Sequence, residues 1–232
     1  MTPAELAGDP EWQRLFATDP VLNALEAEQY DEESDRLLLA GALHFPLMIG
    51  HLPIRPLTPA RWALLWMLGN GYARYHDTVT AEDMEQMLFI LTHDLRRLTV
   101  TLDALASAGA GWGVECGLEI EDLHAALKQL IRAAFSPLAA LPEDPDAEPA
   151  RYDGQWLCRI ASLAARESGL DLEYCKFEMS LGEVCAIYVD AARRNSAPDY
   201  AARIRRRPPA EVEAAIMRRT RELQKEFLAK RS

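Results

Sequence analysis

An all-α protein is what this chain of 232 residues predicts, on three observations. Apolar residues recur every three or four positions through most of its length. Helix-opening pairs such as Thr58-Pro59, Thr80 with Asp83 and Ser180 with Glu183 stand in front of those stripes. No two segments alternate clearly enough to pair as strands. The expected organisation is an N-terminal helical domain (1–135), a Pro-rich acidic linker (136–152) and a C-terminal helix pair (153–197). A basic linker with a terminal amphipathic helix (198–232) completes it. A chain of this length can bury a proper core in one large domain or two small ones.

Trp12, Leu15 and Phe16 give the first short helix its apolar face. Asp19 caps the next, with Pro20 at its first position, and Val21, Leu22 and Leu25 begin its stripe. The acidic run 26–35 is expected as solvated surface leading into a helical pattern from Arg36 to Leu43. Beyond Phe45 the chain changes character. Pro46, Pro53, Pro56 and Pro59 each bias the preceding residue toward extended geometry, so 51–57 is expected as an extended connector or short strand. Thr58 and Pro59 then open a helix from Arg61 to Leu68, apolar on nearly every side and therefore deep in the core. Gly69-Asn70-Gly71 ends it.

Behind Thr80 and Asp83, the residues Met84, Met87, Leu88 and Leu91 form an inner face, and the pattern continues through Leu95, Leu98, Leu102 and Leu105. Residues 106–117, rich in small side chains, are expected as a loop. From Glu119 to Phe135 an amphipathic helix turns Leu123, Leu127, Leu130 and Ile131 inward. Pro137, Pro142, Pro145 and Pro149 with four acids then mark the linker.

In the helix pair, Trp156, Ile160, Leu163 and Ala164 make one stripe, closed at Gly169, and a short turn at 172–177 follows. Ser180 and Glu183 form a capping box for 181–195. There Leu181, Val184, Cys185, Tyr188, Ala191 and Ala192 share a side, Arg193 and Arg194 suit the negative end of the dipole, and Asn195 can close the helix in left-handed geometry. Pro208 and Pro209 start the last helix, which runs to about Lys230. Its apolar positions Val212, Ile216, Leu223 and Phe227 follow a four-and-seven spacing, a narrow seam of coiled-coil type.

The net charge of −11 disfavours a general nucleic-acid binder, but it is unevenly spread. Residues 1–150 carry 24 acids and 9 bases, net −15, whereas 151–232 carry 12 acids and 16 bases, net +4. The longest apolar run, Trp62 to Leu68, is far too short to span a bilayer. The start Met-Thr-Pro-Ala-Glu-Leu lacks the basic and apolar regions of a signal peptide, and Cys116, Cys158, Cys175 and Cys185 show no CxxC pairing. A reducing cytoplasm with buried structural thiols is the expectation.

No grouping of residues calls for catalysis, metal or cofactor. Gly109, Gly111 and Gly113 lack dinucleotide spacing and follow a helical pattern rather than a strand. His44, His51, His76, His93 and His124 make no HxxxH or HExxH pair and have no cysteine at ligand spacing. Ser107, Ser136 and Ser162 sit in no nucleophile elbow. Neighbouring carboxylates such as Glu82 and Asp83 crowd helix starts, where the dipole already accounts for them. What remains is a partner-binding candidate: the seam Val212, Ile216, Leu223 and Phe227, with the basic run Arg203, Arg205, Arg206 and Arg207 ahead of it. Such a helix either docks on its own domain or lies in a partner's groove. Nucleic acid is the weaker partner for the arginines, since only Tyr200 offers a stacking surface nearby.

Two segments resemble the tail assembly chaperones of tailed phages and prophages, which accompany the tape measure protein before the tail tube polymerises. One is 53–70, Pro-Ile-Arg-Pro-Leu-Thr-Pro-Ala-Arg-Trp-Ala-Leu-Leu-Trp-Met-Leu-Gly-Asn, with the helix 80–91 behind it. The other begins Trp156-Leu-Cys-Arg-Ile-Ala-Ser-Leu-Ala and continues through Phe177-Glu-Met-Ser-Leu-Gly-Glu-Val-Cys-Ala-Ile-Tyr to Ala191-Ala-Arg-Arg-Asn. The resemblance implies an all-helical, non-enzymatic protein that shields a long, aggregation-prone tape measure helix in the host cytoplasm, with no catalytic residues to carry over. The rival expectations are a structural tail or connector subunit of the virion and, further off, a helical metal-dependent enzyme.

Overall fold

The computed structural model describes residues 8–28, 32–74, 78–97, 101–107, 111–142, 155–203 and 209–230. The architecture is all-α with one small hairpin. Asp9 opens α1 (Pro10–Thr18) by accepting the Glu11 and Trp12 amides. Asp19 opens α2 (Pro20–Glu28), its Oδ1 accepting the Leu22 amide at 2.8 Å. After α3 (Glu32–Ala42) the chain turns at His44, whose φ of 53° is left-handed, into β1 (Leu47–Ile49) and β2 (Leu52–Ile54). The extended stretch expected at 51–57 is therefore half of an antiparallel hairpin, Leu47 opposite Ile54 and Ile49 opposite Leu52. Three residues per strand are too few to show alternation in the sequence. Leu47, Ile49 and Ile54 face inward. The His51 amide donates to the Cys116 carbonyl at 3.0 Å and the Arg55 amide to the Leu91 carbonyl at 2.8 Å, which fastens the hairpin to the helices behind it.

Then come α4 (Pro59–Met67), α5 (Gly71–Arg74) and α6 (Ala81–Thr92), a 3-10 turn at Leu95–Arg97 and α7 (Leu102–Ser107). Thr58 caps α4, and Thr80 with Asp83 makes the expected capping box on α6. Part of the stretch expected as a loop is helical: α8 (Trp112–Cys116) fits between Gly111 (φ 92°) and Gly117 (φ 71°), both left-handed. The glycines stop a short helix at each end without steric strain. α9 (Ile120–Phe135) is followed by a second 3-10 turn, Ser136–Ala140, and the chain continues as α10 (Gln155–Ser168), α11 (Leu172–Phe177), α12 (Leu181–Asn195), α13 (Pro198–Arg203) and α14 (Pro209–Lys230). Leu98 and His76 lie outside the described residues, as do positions 143–152 of the expected linker.

The expected boundary near residue 136 does not separate two cores. One hydrophobic cluster takes in Ile49 of the hairpin, Trp62 and Leu65 of α4, Met87 and Leu91 of α6, Leu127 of α9, Ile160 of α10 and Val184 of α12. The turn Ser136–Ala140, expected as linker, packs against α12 and α2, and Ser136 is buried. Phe135 at the end of α9 meets Trp62 edge-on, 5.1 Å between ring centres, and lies 6.4 Å from the Trp156 ring of α10, which helps carry the N-terminal helices onto the C-terminal ones. In α10 the buried set is Leu157, Ile160, Ala161 and Ala164, while Trp156 and Leu163 are only half-buried. α10 packs against α12, α11 and α4, and its buried side is rotated from the stripe its larger residues suggest. In α12, Val189 is buried and Tyr188 exposed. Asn195 remains helical: its Nδ2 donates to the Ala191 carbonyl at 2.8 Å, and the chain leaves extended at Ser196.

A second, smaller cluster stands apart. It joins Trp12 of α1 and Leu22 of α2 to Leu223 and Phe227 of α14.

Candidate partner-binding surface

The terminal seam is the first candidate. Val212, Leu223 and Phe227 are buried and Ile216 half-buried, so in this structure α14 covers its own apolar face by lying on α1 and α2. The Trp12 and Phe227 rings meet nearly edge-on, 5.6 Å apart. Beside them Arg219 grips Asp19, with Nη2 to Oδ2 at 2.7 Å and Nε to Oδ1 at 3.3 Å. The guanidinium holds the Asp19 carboxyl below the usual aspartate range, against a burial effect that acts the other way. Glu222 and Glu226 flank the arginine at 3.5 Å each. Arg203 ends α13, and Arg205, Arg206 and Arg207 lie outside the described residues. The outer face of α14 presents Met217, Arg218, Arg221 and Lys225 to solvent.

A second candidate is open. Leu39 (58% exposed), Leu43 (64%), Phe45 (60%) and Met48 (55%) follow one another where α3 runs into the hairpin. Leu39 and Leu43 are one turn apart on the same side of the chain, whose helical bonding extends to the Leu43 amide. Met48 points away from the core because its neighbours Leu47 and Ile49 point into it. Close by, the His44 ring nitrogen Nε2 lies 3.1 Å from the Tyr174 hydroxyl, tying this junction to α11.

Polar chemistry inside the protein is structural. Arg61 is buried within α4, with Nε donating to the Ile90 carbonyl at 3.2 Å, Nη2 to the His93 carbonyl at 3.1 Å and Nη1 to the Pro56 carbonyl at 3.3 Å. Burial, reinforced by the charge of Arg55, lowers its pKa to about 10. It thus closes the C-terminal end of α6 and serves a proline-rich stretch poor in amide donors. Asn70, also buried, donates to the Asp83 carbonyl (2.8 Å) and to Gln86 Oε1 (2.9 Å), joining the α4–α5 turn to α6. Tyr72 Oη and His124 Nδ1 share a bond of 2.8 Å; burial pushes the phenol up and the imidazole down. Among the described residues no group of three or more His, Cys, Asp or Glu is placed to hold a metal ion; Cys116, Cys175 and Cys185 are buried free thiols as expected, whereas Cys158, on the outer side of α10, is a free thiol exposed to solvent.

The exposed patch is not singled out in the sequence: Leu39 and Leu43 belong to a helical pattern there, and periodicity alone does not say which stripe lacks a neighbour. Arg61 and the Asp19–Arg219 pair were hidden for another reason: a charged residue beside apolar ones reads as surface until its partners are placed. Comparison of the chain with protein-family models, with curated proteins and with solved structures finds no match in any of the three.

Proposed function

We propose that this protein is a non-enzymatic binding protein of phage tail assembly: a chaperone that covers the apolar stripe of the tape measure protein in the host cytoplasm. The observation that carries the reading is the apolar surface of Leu39, Leu43, Phe45 and Met48 at the α3–hairpin junction. Apolar groups gathered in this way mark a place where another molecule is meant to sit, and an amphipathic helix is the simplest element to lay across them. The tape measure protein is suggested by the likeness of 53–70 and 156–195 to tail assembly chaperones. Within that reading the protein transforms nothing; it lends surface.

Co-expression with the tape measure protein encoded downstream tests this. The expected result is a larger soluble fraction of that protein and a complex on gel filtration, lost with Leu43→Ser and Phe45→Ser together while the helical circular dichroism is unchanged. Equal solubility without this protein, and no shared peak, refutes the reading. Mass spectrometry of finished particles should lack the protein; its retention there would assign it to the virion as a structural subunit instead.

A further inference from the structure

We propose that the groove between α1 and α2 is a recognition site for an arginine-bearing amphipathic helix of another protein, and that α14 fills it as a built-in competitor. The groove has its own hydrophobic cluster, distinct from the main core, with Trp12 and Leu22 on one side and Leu223 and Phe227 on the other. Leu15, Phe16 and Ile216 line its edges. The seated helix therefore shows what the site accepts: apolar residues at 216, 223 and 227, with an arginine at 219 between them.

The arginine is the specific part. Asp19 is only 6% exposed, and its carboxylate both caps α2 through the Leu22 amide and receives the fork of Arg219. An occupant without a guanidinium leaves that carboxylate buried and half-satisfied, and a lysine cannot reproduce the two-pronged geometry. The sign also fits, since residues 1–150 carry a net charge of −15. The far side of α14 is in solvent, with Met217, Arg218, Arg221 and Lys225 outward, so the contact to be exchanged is one-sided. A rival helix needs only to outcompete a tethered copy of itself. This inference stands on the groove alone and does not require that the tape measure protein be the partner.

The probe is a fluorescent peptide of residues 209–230, titrated into the full-length chain and into full-length Leu223→Ala/Phe227→Ala, which empties the groove without touching its walls. The double variant should bind the peptide at least about tenfold more tightly than the unaltered chain, because a short tether holds the native helix at roughly millimolar effective concentration. Peptide carrying Arg219→Glu should lose binding. A second measurement guards against a variant that fails to fold: excess peptide added to the unaltered chain should speed amide exchange in its own α14 and leave α12 unchanged. The proposal is overturned if a correctly folded double variant ignores the peptide, if both chains bind it equally, if Arg219→Glu peptide binds as well as the original, or if excess peptide leaves exchange in α14 unaltered.

Discussion

Three side chains carry most of the polar specificity, and each makes a prediction at the scale of a single residue. Arg61→Ala strips the donor from the carbonyls of Pro56, Ile90 and His93 and leaves a void beside Trp62. The expected loss is about 2–4 kcal/mol in urea unfolding, with Arg61→Lys recovering only part of it. Asp19, whose folded pKa lies below its ordinary 3.8, binds fewer protons folded than unfolded. Its contribution is complete above 3.8 and is lost as pH falls through the lower folded value, so acid should loosen α14 from α1. Nuclear magnetic resonance of the Trp12 indole during acidification should report this, and Asp19→Asn should remove that acid-dependent step. His124 follows the same sign: its depressed pKa means that stability is full above 6.5 and declines as pH drops below it. His124→Gln should flatten thermal stability across that window.

At the scale of the element, the caps were the part most legible in the sequence. Ser180 with Glu183 and Thr80 with Asp83 form reciprocal capping boxes, with the Ser180 Oγ accepting the Glu183 amide at 3.2 Å. Ser180→Ala should cost about 1 kcal/mol, read as a lower thermal midpoint, and Ser180→Thr should restore most of it. These motifs are local, so the chain states them outright. Which face of a helix is buried depends on neighbours far along the chain, and there the sequence is only a partial guide: in α10 Ile160 and Ala164 face inward as expected, but so do Leu157 and Ala161, while Trp156 and Leu163 are half-buried. The hairpin escaped for want of length, and α8 because its glycines look like a loop until both are seen as caps. The seam on α14 was fully legible as a seam. Its occupant was not, because a stripe of apolar residues is the same whether it meets its own chain or another.

At the scale of the whole molecule the described residues gather into two hydrophobic clusters of unequal size, and these should not yield together. The larger spans the hairpin, α4, α6, α9, α10 and α12; the smaller holds only α1, α2 and α14. Native-state hydrogen exchange should show α14 opening at a lower free energy than α6 and α12, with Phe227→Ala speeding exchange in α14, α1 and α2 and leaving α6 unchanged. Uniform protection across all these helices would show a single cooperative unit instead.

The small core also sets a timetable. Trp12 and Leu22 leave the ribosome more than two hundred residues before Leu223 and Phe227. At ordinary elongation rates that interval is on the order of 10 s or more. For that time Trp12 and Leu22 are without the helix that covers them in the finished fold. A helix of another chain that reached these residues in the interval would find them uncovered, and once the last helix is complete it would have to displace a tethered rival.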